Sequence, residues 1–126
     1  MSPVLLHAAA FCPSISRVAL IGPLVSYHSV VASRDYAPEF IPNCVAGALT
    51  GYDLPDLAAT LAPRPLLMMN VKDGTNQVAG QPQLDRELAV VKASYRLKGV
   101  ESRLHVLHAD REKQLEQFVA DWLRGE

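Results

Sequence analysis

Apolar positions along the chain fall into two patterns. Arg17–Gly22 (RVALIG) and Leu66–Val71 (LLMMNV) are continuous apolar runs of strand length, which suits strands covered on both faces. Arg103–His108 alternates instead, so that Leu104, Val106 and His108 share one strand face. Helical spacing occupies the rest. Pro3 to about Phe11 is short and Ala-rich, and Pro3 is tolerated where a helix begins because its missing N–H would be unpaired there. Asp53–Leu61 has a capping Asp53, Asp56 in its first turn, and Leu54, Leu57, Ala58 and Leu61 on one face. Gln83–Lys98 repeats Leu84, Leu88, Val91 and Tyr95 and ends at Gly99. Glu112–Arg124 carries an apolar stripe of Leu115, Phe118, Val119, Trp122 and Leu123.

Between the first strand and the second helix pattern, Pro23–Tyr52 is irregular, with a short helix expected near Ser29–Arg34. The order helix, strand, loop with helix, strand, helix, strand, helix predicts right-handed crossovers and a parallel sheet. In such a sheet, chemistry gathers at the carboxyl ends of the strands. All three ends carry reactive residue types: Ser26-Tyr27-His28-Ser29 after the first, Asp73 after the second, and His108 at the end of the third. Serine, histidine and carboxylate are the parts of a nucleophilic relay. The hydroxyl needs a base to take its proton, and the imidazole needs an acceptor to fix its tautomer. The same residues also suit plain structural work, since Lys-Asp-Gly is ordinary turn chemistry and loop serines satisfy backbone.

Composition narrows the class. The 126 residues suit one domain, 1–126, and 49% are apolar. Twelve basic residues against 13 acidic ones, in no block of one sign, argue against nucleic acid or a membrane surface as the partner. Cys12 and Cys44 lack metal-ligand spacing, so neither a zinc site nor a cofactor is expected. No apolar run approaches the ~18–20 residues of a membrane span, and no basic residue precedes VLLHAAAF as in a signal peptide. The expectation is a cytoplasmic protein.

APRPLLMMNVKDG, preceded by YDLPDLAATL, resembles the late part of the α/β-hydrolase fold, especially its acetyl xylan esterase and dienelactone-hydrolase-like branches. The resemblance implies a truncated α/β-hydrolase-like three-layer sandwich, about three parallel strands flanked by four or more helices, corresponding to the C-terminal portion of that fold. It implies that Asp73 is the acid of a catalytic triad, with Gly74 where a proline is usual. It implies that His108 lies nearest the place of the triad histidine. The family's G-x-S-x-G elbow has no match here. If VLLHAAAF is the helix that follows the elbow, the serine falls a residue or two before Met1.

These readings lead to three expectations of function. The first is a small carboxylic-ester hydrolase acting on short-chain acyl esters through an acyl-enzyme. Ser26 is its nucleophile (Ser29 second), His108 its base, and Asp73 its orienter, with backbone N–H groups near the first strand's end as the oxyanion site. Tyr27, Ser29 and Tyr36 would contact the substrate. The second is a catalytically inactive remnant with a structural role, and the third a module that binds an ester-like or carbohydrate ligand. Val18–Ile21, apolar and uncharged, would form an open sheet edge and recruit a second copy of the chain as a homodimer.

Overall fold

The computed structural model of the chain describes residues 2–125. Its centre is a parallel sheet in the order β1 (Val18–Ile21), β2 (Leu66–Met69), β3 (Leu104–Leu107). Val18 lies opposite Leu66 and Ile21 opposite Met69; Leu66 in turn lies opposite Leu104, and Met69 opposite Leu107. All four residues of β2 are buried, as the continuous apolar run requires of a central strand covered on both faces.

The two faces are unequal. Val18, Leu20, Leu66 and Met68 enter the large core, where they meet α1 (Ser2–Phe11), α3 (Leu54–Thr60) and α5 (Ala89–Leu97). Leu6, Ala9, Leu57, Ala58, Val91 and Tyr95 are the helical side chains of that core. Tyr95 is fully buried and donates from its hydroxyl to the Arg64 carbonyl, and burial pushes its pKa to about 12. The opposite face is small: Leu67 and Met69 pack against Trp122 of α6 (Glu112–Leu123). Arg17, just before β1, holds that helix by donating to the Trp122 carbonyl at 2.6 Å while its guanidinium lies 5.3 Å from the indole centroid. The result is three layers, with helices on both sides of the sheet.

Three elements differ from the sequence expectation. The pattern Gln83–Lys98 is two helices, α4 (Gln81–Glu87) and α5, joined at Leu88. Leu88 leaves helical geometry (φ −96°, ψ 9°) while its side chain stays fully buried. The hydrogen bonds Leu88 N–H to Leu84 and Lys92 N–H to Leu88 continue across the joint, so the two helices follow one another without a gap in their bonding. The helix near Ser29–Arg34 begins earlier, as α2 (Tyr27–Ala32), and the loop after it contains 3₁₀ turns at Pro38–Asn43 and Ala48–Thr50. β2 ends two residues short of Val71, because Asn70 turns into the left-handed region at φ 53°.

β1 is an edge strand. The Val18 and Gly22 N–H groups turn to β2, bonding Pro65 and Met69 at 3.0 and 2.8 Å, so alternation aims those of Ala19 and Ile21 away from it. Ile21 is 52% exposed. With Val4, Leu5, Ala8 and Ala19 it borders an open apolar groove of about 460 Å³ between α1 and β1.

Asp53 ties the irregular stretch to the core. Its carboxylate accepts from Leu54 N–H at 2.6 Å, capping α3, and from Tyr27 and His28 N–H at 2.6 and 3.0 Å, at the start of α2. Asp56 completes a capping box by accepting from Asp53 N–H at 2.7 Å. One carboxylate thus serves the ends of two short helices. Asp53→Ala is expected to cost about 2–3 kcal/mol in urea unfolding, more than the ~1 kcal/mol of a single N-cap. A loss no larger than a single cap would show that the α2 bonds contribute nothing.

Candidate functional site

The carboxyl ends of β2 and β3 lie side by side, and the polar turns beyond them form the candidate site. After Met69, Asn70 bends the chain, and Lys72 makes a parallel bridge to Leu24 and an antiparallel one to Val78. Asp73 follows at a tight turn. Its Oδ1 accepts from the Thr75 hydroxyl at 2.7 Å, Thr75 N–H at 2.9 Å and Gln77 N–H at 3.1 Å. Burial alone would raise this carboxyl's pKa, but those hydrogen bonds outweigh it and hold the group below its ordinary value. All three bonds fall on Oδ1. Among the described residues no hydrogen bond reaches Oδ2.

His108 stands one residue beyond β3, with its side chain 52% exposed. Its Nε2 is 2.7 Å from Oδ1 of Asp110, two residues along the same turn and 86% exposed. Beside it lies a cavity of about 360 Å³ between the ends of β2 and β3 and the start of α4, walled by Asn70, Val71, Val78, Gln81, Leu107 and His108. The described residues show no hydrogen bond between Asp73 and His108. The structure therefore gives His108 a different carboxylate partner, Asp110, from the Asp73 that the sequence reading assigned. The His-Ala-Asp spacing was the signal that could have revealed it.

The serines have structural work. Ser26 is fully buried and caps α2, its Oγ accepting from Ser29 N–H at 3.0 Å. Ser29, 5% exposed, accepts from Gly74 N–H at 2.6 Å and from the Gln83 side chain at 3.3 Å. A nucleophilic hydroxyl must meet both substrate and base, and a sealed N-cap meets neither. Of the backbone N–H groups near the first strand's end, expected to hold an oxyanion, those of Gly22 and Val25 bond Met69 and Lys72, and those of Tyr27, His28 and Ser29 beyond them bond Asp53 and Ser26. The structure thus does not bring Ser26 or Ser29 to His108.

The expected substrate contacts are also dispersed. Tyr27 is buried, and its hydroxyl donates to the Asn43 carbonyl at 3.0 Å. Burial, with Tyr52, Cys44 and Asp53 nearby, pushes its pKa to about 12. Tyr36 is exposed on the loop. Neither Tyr27, Ser29 nor Tyr36 is among the described residues that wall the cavity beside His108. Among the described residues no group of three or more His, Cys, Asp or Glu side chains is placed to hold a metal ion, and no helix is long and apolar enough to cross a membrane.

Gly74 explains its own departure from the proline usual after the acid. Its N–H bonds Ser29, which a proline cannot do. A Cβ there would lie 2.6 Å from the Ser29 carbonyl carbon and 2.8 Å from Val30 Cα. The acid turn is pressed directly onto α2, and only a hydrogen fits between them. Gly74→Ala is expected to lower stability by about 1–3 kcal/mol through this overpacking, and Gly74→Pro by more, because the Ser29 bond is also lost. Thermal melts of the two variants check this ranking; equal stability to the native chain would mean that α2 and the turn separate freely.

The comparisons with known proteins agree with this architecture. A family model described as the abhydrolase family matches residues 28–122, a span that begins within α2, after β1, and takes in β2, Asp73, β3, His108 and nearly all of α6. No curated protein and no solved structure shows a match to the chain. With three parallel strands, helices on both faces and polar turns after β2 and β3, this chain belongs to the abhydrolase family of α/β-hydrolase-type folds.

Proposed function

We propose that the site serves hydrolysis of short-chain carboxylic esters with His108 as its base, the reaction class that the resemblance to the acetyl xylan esterase and dienelactone-hydrolase-like branches implies. The observation that carries this reading is Asp73: a part-buried carboxylate on the turn that follows β2, with Oδ1 fixed by three donors and no hydrogen bond to Oδ2 among the described residues, while the neighbouring strand β3 leads into His108. A fixed carboxylate with one free oxygen is what an orienting acid needs. His108 takes a proton from water as that water attacks the ester carbonyl, and returns it to the departing alcohol, so that the carboxylic acid and the alcohol are released. Ser26 and Ser29 are not assigned the nucleophile, since both oxygens serve the backbone.

Hydrolysis of p-nitrophenyl acetate tests the assignment. His108→Ala and Asp73→Asn are each expected to slow it by about a hundredfold or more, while Asp110→Ala and Ser29→Ala retain it. Ser26→Ala should retain activity and cost about 1 kcal/mol of stability as a lost N-cap. A folded His108→Ala protein at full rate would overturn the reading. A native chain that is folded but inert toward esters would favour the second reading, a non-catalytic structural or ligand-binding module. The buried serines and the His108–Asp110 pair are what support that alternative.

The homodimer belongs to the same proposal. Two β1 edges paired antiparallel about a two-fold axis would satisfy the Ala19 and Ile21 N–H groups and cover the groove beside α1. Light scattering is expected to return twice the chain mass, and Ile21→Lys to halve it. A species of single chain mass in the native protein would refute the pairing.

A further inference from the structure

The geometry points to Asn70 as the positioning residue of His108. Asn70 makes three hydrogen bonds to the segment that carries the histidine, and they fall on both sides of it. Its backbone N–H donates to the Leu107 carbonyl at 3.0 Å. Its side-chain Oδ1 accepts from Ala109 N–H at 2.8 Å, and its Nδ2 donates to the Ala109 carbonyl at 3.2 Å. The residue before His108 and the residue after it are therefore both held by one asparagine on the neighbouring strand.

The pairing with Ala109 is a two-point clasp. An amide side chain offers one acceptor and one donor, and the Ala109 residue offers the complementary pair. Aspartate at position 70 would offer only the acceptor in the ionisation state of neutral pH, and leucine would offer neither. The clasp also needs the left-handed backbone at φ 53°, a conformation that asparagine tolerates better than other residues with a Cβ. Sheet pairing ends at Leu107, so without the clasp the next residues would have only their own turn to hold them. Asn70 also forms part of the cavity wall beside His108, so the same residue sets both the wall and the histidine's place on it.

This inference rests on His108 being the base of the proposed hydrolysis, but its test does not. Asn70→Gly removes the side-chain clasp while accommodating the positive φ, so backbone strain is not added. Asn70→Asp keeps the acceptor for Ala109 N–H and loses the donor. In the native protein the Ala109 amide should be protected from hydrogen exchange. Asn70→Gly should raise its exchange rate by about tenfold or more, with Asn70→Asp intermediate. The ring nitrogen resonances of His108 should move in Asn70→Gly toward those of an unrestrained imidazole. Amides of β1 should be unchanged, which separates a local effect from general loosening. If the chain hydrolyses esters, kcat should fall with KM unaltered, whereas loss of folded protein would leave the kcat of the remainder intact. An unprotected Ala109 amide in the native protein would overturn the inference, even if no variant folds. So would an Asn70→Gly protein whose Ala109 exchange and His108 resonances match the native ones. An inert native enzyme with the expected exchange pattern would defeat the hydrolase reading and leave the positioning role standing.

Discussion

The structure depends on how the backbone beyond β2 is satisfied once it leaves the sheet. A central strand buried on both faces has no water at its flanks, and the polar groups that follow it must find partners within the protein. Between Asn70 and Gly74 they do so in every direction. Asn70 N–H bonds Leu107 toward β3, Lys72 N–H and C=O bond Pro23 and Val25 toward α2, and Val71 C=O accepts from Ala79. Gly74 N–H closes on Ser29, and its carbonyl accepts from Ala37 at 2.8 Å. These five residues join the end of β3, the start of α2, the following loop and the approach to α4. The acid turn is rigid because it is the junction, and any carboxylate placed on it inherits that rigidity.

The regular elements were legible because their signals are those of burial. The apolar runs at Val18–Ile21 and Leu66–Met69, the capping Asp53 and the helix α6 appear where the pattern put them, although of the α6 stripe only Leu115, Val119 and Trp122 pack inward while Phe118 and Leu123 stay exposed. The joint at Leu88 was hidden, since a buried leucine at helical spacing reads alike in one helix or in two. The site was half legible. Topology places Asp73 and His108 at adjacent strand ends, but the partners of each side chain depend on local turns that no spacing rule reports. Ser26 and Ser29 show the limit most clearly. Serine after a strand end suits a nucleophile and suits an N-cap equally, and a helix of six residues such as α2 cannot do without the cap. Asn70 carried a faint signal, an amide closing an apolar run, where a left-handed turn is the commonest use for it.

Two carboxylates are within the reach of argument for His108, and their environments decide between them. Asp110 holds Nε2 now, but it sits on the same exposed turn, and a hydrogen-bonded pair open to water gains about 0–1 kcal/mol at most. Asp73 is anchored through Oδ1 by three donors and part-buried, so a bond made by its other oxygen would be screened less and would cost no reorganisation of the carboxylate. A ligand that fills the cavity between Val78, Gln81 and His108 removes water from that side of the imidazole and not from Asp110's. The Asn70 clasp holds Leu107 and Ala109 on either side of the histidine, so the imidazole turns about its own side-chain bonds on a backbone that need not move.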